Sequence, residues 1–247
     1  MLIIDKKFRN TYFSEDIIME RAYTNGQWEN TVETIQNAVE NNQISNQAVV
    51  FGNGLSRKKI DNKLIVNHLG GVLGSKSLQT YGCNAIYREH VVDFLVVLDP
   101  KMAKELSDSG YATNNIVYTR VLNTLEYPNL FYLIPNDPYA DAGTTAAYIA
   151  AFDGHKKIFL LGFDGQDTQG INNNIYAGTN GYDSLYTDIQ YNDIIWKDNL
   201  YRLFSVYDDV DFVWVTEAGR STMHESWKYL TNVRQISFHN FVIEASI

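Results

Sequence analysis

The stretch that most constrains this chain runs from Ala142 to Gly165, AGTTAAYIAAFDGHKKIFLLGFDG, and reads as a helix followed at once by a buried strand. Gly143, Thr144 and Thr145 start the helix, and Ala146, Ala147, Ala150 and Ala151 are small enough to let it lie close on a sheet. Gly154 ends it. Ile158 to Phe163 is then a continuous apolar run bounded by lysines and Asp164, as expected of a strand covered on both faces in a parallel sheet. Asp164 therefore falls at the carboxyl end of a central strand, which in open α/β sheets is the edge where ligands bind.

Similar apolar runs recur along the chain. Strands are expected at Ala48 to Phe51, Leu64 to His68, Leu78 to Tyr81, Phe94 to Leu98, Ile116 to Tyr118, Leu130 to Ile134 and Val210 to Val215. Helical spacing falls at Met102 to Leu106, Ile194 to Phe204 and Glu225 to Leu230, and the tail from Val233 to Ala245 adds one more strand. This alternation predicts an α/β protein with a doubly wound, mostly parallel, Rossmann-like sheet. Residues 1–47 form a small N-terminal appendage, in which Val32, Ile35, Ala38 and Val39 share one face of a helix from Thr31 to about Asn41. Residues 48–247 are expected to form the Rossmann-like domain. Within it, the Asn-, Gly-, Asp- and Tyr-rich run at 165–187 is a long lid loop after a central strand, with Tyr176, Tyr182 and Tyr186 placed to close over a ligand.

The formal charge of −9 argues against a nucleic-acid or anionic-membrane surface as the main partner. A single cysteine, Cys83, excludes an intramolecular disulfide and a cysteine-based zinc site, which points to a reducing compartment. No stretch reaches the length of an integral membrane segment, and the N-terminus lacks the layout of a signal peptide, so the expected location is cytoplasmic. Aromatic residues near the N-terminus leave room for a homo-oligomer.

Several strand ends deliver residues suited to chemistry. Ala48 to Phe51 runs straight into Gly52-Asn53-Gly54 and a helix start, an arrangement whose free backbone N–H groups bind phosphate. Gly82-Cys83-Asn84 is a second strand end carrying a small polar residue. Asp99-Pro100 is a third, where proline turns the chain out of its strand. No two of the five histidines stand at metal-ligand or triad spacing.

Taken in order, AVVFGNGLS, TYGCNAIYRE and GTTAAYIAAFDGHKKIFLLGFDG resemble the small bacterial sialyltransferases that use CMP-activated sialic acid. More distantly they resemble the motility-associated domains and the archaeal 6-hydroxymethylpterin pyrophosphokinases. The resemblance covers roughly Ala48 to Val215 and implies that Gly52, Asn53, Gly54 and Asn84 position the donor phosphate and sugar. It also implies that Gly143, Thr144 and Asp164 flank the nucleoside and that Tyr176 supports the leaving phosphate. The family's base, a histidine just after the lid, has no counterpart here; the region offers Tyr182, Asp183, Tyr186 and Asp188, and Asp183 is the expected base. His224 would serve instead if the segment before it folds over the cleft. The implied activity is transfer of a sialic-acid-like sugar from a CMP-sugar donor to a glycan acceptor, with no cofactor and no metal. The competing reading is a Mg²⁺-dependent nucleotide pyrophosphotransferase using Asp99 and Asp164. A third is a nucleotide-binding module without catalysis.

Overall fold

The computed structural model describes residues 2–4, 8–10, 15–24, 27–28, 32–37, 45–59, 78–164, 174–182, 189–216 and 223–246. Near the N-terminus, β1 (Leu2–Ile4), β2 (Phe8–Asn10), β3 (Glu15–Thr24), β4 (Gln27–Trp28) and β5 (Val32–Asn37) make an antiparallel sheet in which β3 pairs with each of the others. The helix expected over Thr31 to Asn41 is thus corrected to a strand across Val32–Asn37. Val32, Thr34 and Ile35 are β-branched and favour extended backbone, and pairing with β3, with Ile17 opposite Ile35, fixes their register.

The second sheet is wholly parallel. Its strands are β6 (Gln47–Phe51), β7 (Gln79–Cys83), β8 (Phe94–Val96), β9 (Ile116–Thr119), β10 (Tyr132–Leu133), β11 (Lys157–Leu161), β12 (Asp211–Val215) and β13 (Val233–Ile236). The spatial order is β10-β9-β8-β7-β6-β11-β12-β13. The chain starts at β6, works outward to β10, then returns to the other side of β6 with β11. That reversal makes the sheet doubly wound and puts its topological switch point between β6 and β11.

Alternate strand residues feed two cores. Ala48, Val50, Ile158, Leu160, Phe212 and Trp214 pack with the helices Ala142–Phe152 and Ile189–Val206. Val49, Phe51, Phe159, Leu161, Val213 and Val215 pack with Pro100–Ser109 and Phe238–Ala245 on the opposite face. Because both faces are covered, the central strands β6, β11 and β12 read as apolar runs. The alanines of the 142–152 helix are the reason it lies close: Ala146, Ala147 and Ala150 are fully buried, and enlarging one would cost about 1–3 kcal/mol in overpacking.

The tail differs from expectation in its second half. Val233–Ile236 is the edge strand, but Ser237 then caps a helix over Phe238–Ala245 by accepting the Asn240 N–H at 3.2 Å. The strand expected at Leu64 to His68 lies outside the described residues. Among the described residues, no helix is long and apolar enough to cross a membrane.

Candidate functional site

At the switch point the turns after β6 and β11 interlock. Gly52 N–H donates to the Leu161 carbonyl and Gly54 N–H to the Gly162 carbonyl, both at 2.8 Å. A Cβ on Gly52 would land on the Gly162 carbonyl oxygen, and one on Gly54 would lie 2.6 Å from the Asp164 carboxyl carbon. Gly162 has φ +80° and its own Cβ would sit 2.9 Å from the Gly52 carbonyl oxygen. Only glycine tolerates this approach. The glycines therefore serve close packing, and the expectation that their free N–H groups cradle phosphate is corrected: both amides are already spent on carbonyls.

Two side chains lock the turn from outside. Asp164 accepts the Ser56 N–H at 2.7 Å and the Ser56 hydroxyl, which ties β11 to the 3-10 turn Leu55–Lys59. Arg57 is fully buried beneath the turn. Its guanidinium donates to the Gly52 carbonyl at 3.0 Å and to the Tyr176 hydroxyl, and it approaches Glu89 at 3.5 Å.

The next wall comes from β7 and the helix at 142–152. Asn84 has φ +51°, a left-handed conformation that asparagine adopts at a cost. Cys83 is buried, and burial pushes its thiol up to about 12, so it stays protonated. Its Sγ lies 3.5 Å from the Phe51 carbonyl and 3.9 Å from Asn53 Oδ1. Asp141 caps the helix, with the Thr144 N–H at 2.9 Å on one carboxylate oxygen and the Thr144 hydroxyl at 2.7 Å on the other. Thr145 N–H makes the first intrahelical bond, to the Asp141 carbonyl. By helix geometry the N–H groups of Ala142 and Gly143 have no partner within the helix, so they are the donors at this end. Asp99 caps the 100–109 helix in the same way, through the N–H groups of Lys101 and Met102.

The described part of the loop after β11, residues 174–182, folds back over the glycine turn. Asn174 bridges Gly54, and Ile175 N–H donates to the Asn53 carbonyl at 2.9 Å. Asn53 Nδ2 donates to the Tyr182 hydroxyl at 3.1 Å. Burial raises the Tyr182 phenol above its ordinary range, so it remains a neutral donor and acceptor.

Together these elements enclose a cleft of about 420 Å³. Of the residues expected from sequence, Gly52, Asn53, Gly54, Asn84, Gly143 and Asp164 all line it. Thr144 does not: it is 2% exposed and both its donors are taken by Asp141. Tyr176 does not either. It is buried, with its hydroxyl on Arg57 beneath the turn, and Tyr182 is the tyrosine that faces the cleft. Asp183, the expected base, lies outside the described residues. His224 turns to the Ser226 hydroxyl at 2.7 Å and the Trp227 ring and does not line the cleft.

No protein-family model and no curated protein sequence matches the chain. Two solved structures are similar to it. One is the monofunctional alpha-2,3-sialyltransferase Cst-I from Campylobacter jejuni, at 17% identity and a TM-score of 0.43, covering 71% of this chain and 77% of that one. The other is the sialyltransferase CstII from Campylobacter jejuni in complex with a substrate analogue, cytidine-5'-monophosphate, at 15% identity and a TM-score of 0.38, covering 68% of this chain and 78% of that one.

Among the wall residues that the sequence reading missed are Asp141 and Trp196. Asp141 was legible as an N-cap, an aspartate directly before Ala142-Gly143-Thr144. Trp196, from the 189–206 helix, adds an aromatic wall that no local pattern announces. Asp99, Asp141 and Asp164 bring carboxylates to the rim, each already accepting N–H donors. Among the described residues, no group of three or more His, Cys, Asp or Glu side chains is placed to hold a metal ion.

Proposed function

We propose that this cleft binds a nucleotide-activated sugar and that the protein is a glycosyltransferase, using a CMP-linked, sialic-acid-like donor and a glycan hydroxyl as acceptor. The observation that supports the reading is the convergence of Gly52 to Gly54, Asn84, Gly143 and Asp164 on one cleft at the switch point. Three separate strand ends and one helix start contribute to it. The left-handed Asn84 at its wall is the kind of local strain that gathers at ligand sites.

In this scheme the side-chain amides of Asn53 and Asn84 and the Tyr182 hydroxyl hydrogen-bond the donor, and the N–H groups of Ala142 and Gly143 receive its anionic part. Trp196 supplies an apolar face. Asp183, directly after the cleft-lining Tyr182 in sequence, takes the acceptor hydroxyl's proton as the acceptor oxygen bonds to the anomeric carbon. The bond from that carbon to the phosphate oxygen breaks at the same centre, and its electron pair leaves with CMP. Neutral donors aimed at the leaving phosphate stabilise the charge that develops there.

A thermal-shift panel of CMP, CMP-sialic acid, and ATP with and without Mg²⁺ tests the reading. A ligand that binds only the folded chain stabilises it by about 2.7 kcal/mol at a hundred times its dissociation constant. Selective stabilisation by the cytidine ligands, unchanged by chelator, is expected, together with slow release of CMP from the donor. Stabilisation by ATP with Mg²⁺ alone would instead favour the pyrophosphotransferase. Binding of cytidine ligands with no turnover would favour a module without catalysis.

A further inference from the structure

Asn84 and Arg88 sit at the two ends of one 3-10 turn. The first lines the cleft, and the second reaches away from it to the loop that closes the cleft. Arg88 holds Glu105, on the 100–109 helix, with a two-pronged contact: Nε to Oε1 at 2.7 Å and Nη2 to Oε2 at 2.6 Å. The same guanidinium donates to the Thr179 hydroxyl at 2.9 Å and to the Asn180 carbonyl at 2.8 Å. Glu105 in turn accepts the Asn180 side-chain amide at 2.8 Å and the Tyr87 hydroxyl. Thr179 passes its own hydroxyl hydrogen to the Tyr176 carbonyl at 2.7 Å, and the Arg88 guanidinium lies 5.9 Å from the centre of the Tyr176 ring.

An isolated surface ion pair contributes little, because two long side chains must be ordered in water. This one differs in kind. Its geometry is bidentate, both partners are about one-fifth exposed, and two of the three remaining Arg88 N–H donors go to the loop, while Glu105 also accepts from Tyr87 and Asn180. The segment it grips leads directly into Gly181 and Tyr182, which form the cleft wall, and Tyr182 meets Asn53 across it. Within the described loop the other ties to the rest of the fold include the bridge at Gly54 and the Ile175 bond at the loop's beginning, the bonds made by Tyr176 and Tyr182 themselves, and the packing of Ile175, Tyr176 and Tyr182 on the apolar core.

We propose that Arg88 and Glu105 are positioning residues: a latch that holds residues 179–182 as the cleft wall and so sets the protein's affinity for the nucleotide. The nucleotide part rests on the functional reading above; the latch itself does not. The pair touches no ligand. It acts by keeping Tyr182 against Asn53 before the ligand arrives, so that binding need not order the wall.

Hydrogen exchange of the full chain, without ligand, tests the latch. In Arg88→Ala the amides of 177–182 should exchange at least tenfold faster, while those of β6 and β11 keep their rates. Arg88→Lys retains the charge but not the fork, so it should restore thermal stability more fully than loop protection. Glu105→Gln, which keeps the side chain's shape, should loosen the same amides to a smaller extent. Unchanged exchange at 177–182 in Arg88→Ala would overturn the latch. CMP titration of the same proteins then tests its consequence: about tenfold weaker affinity in Arg88→Ala is expected, and equal affinity in a loosened variant would overturn the link to binding. Failure of the wild-type chain to bind CMP would remove the transferase reading and the link to binding with it, while the exchange result still decides the latch.

Discussion

The two ends of the parallel sheet treat polar groups in different ways. At the amino end most are consumed internally, with Gln47 Oε1 and Asp93 Oδ1 buried without a hydrogen-bond partner among the described residues. Tyr81 donates its hydroxyl to Asp153 at 2.7 Å and lies 2.9 Å from Nε2 of the fully buried His155, whose Nδ1 faces the Ser45 carbonyl at 2.6 Å. Asp93 takes both the N–H and the hydroxyl of Thr80, and Arg234 bridges Asp211 and Glu244. At the carboxyl end Arg57 and Asp164 are paired internally as well, but Asn53, Asn84, Tyr182 and the capping carboxylates Asp99 and Asp141 also face a cleft. Buried polar groups are mostly paired, so the amino end is built for stability and the carboxyl end keeps its capacity for a ligand. Histidine chemistry follows the same division: the buried His155 belongs to the scaffold, not to the site.

The largest expected effect breaks the carboxyl end. Gly162→Ala places a Cβ 2.9 Å from the Gly52 carbonyl at φ +80°, and strain with overpacking should cost about 2–4 kcal/mol. Denaturant unfolding would show it as a lowered midpoint, with ligand binding lost as well. Next, Tyr81→Phe should break the amino end alone: removing the hydroxyl strips a partner from Asp153 and His155 and should cost about 1–3 kcal/mol of stability, while calorimetric titration finds nucleotide affinity unchanged.

Asn53→Ala should show the reverse pattern. Its loss of donor affinity, about tenfold or more, corresponds to roughly 1.4 kcal/mol, and its unfolding midpoint should move less than that of Tyr81→Phe. The smallest effects sharpen the comparison through pH. Burial raises the Asp93 carboxyl above the usual range, so its contribution to stability is present below its unfolded value and is lost as pH rises through the folded one. Asp93→Asn should therefore gain on wild type as pH increases. Arg88 holds Glu105 below the usual range, so the latch contributes above the ordinary carboxylate pKa and is lost as pH falls through the depressed value. The deficit of Glu105→Gln should be present at neutral pH and close in acid, read by thermal melts across pH.

How much of this was legible in the sequence depends on how local each cause is. The central strands of the parallel sheet show as apolar runs because both faces are covered, and the start and end of the 142–152 helix follow from its own residues. Thr31 to Asn41 misleads because its apolar spacing suits a helix while long-range pairing with β3 makes Val32–Asn37 a strand. The cleft residues at strand ends were readable because a strand's end fixes where the next residue points. Tyr176 and Tyr182 were not separable: they stand in one loop, and only the fold-back that buries the first against Arg57 sends the second to the cleft. The glycine turn looked like a phosphate cradle because its sequence cannot show that β11 already occupies its amides.

The most direct test of a nucleotide site at the carboxyl end is the exchange footprint of CMP on the full chain. Added CMP should slow exchange in peptides spanning 52–56, 83–86, 141–145 and 174–182, and leave 45–47 and 153–157 at the sheet's other end unchanged. No slowing at the carboxyl end, or slowing confined to the amino end, would contradict the account.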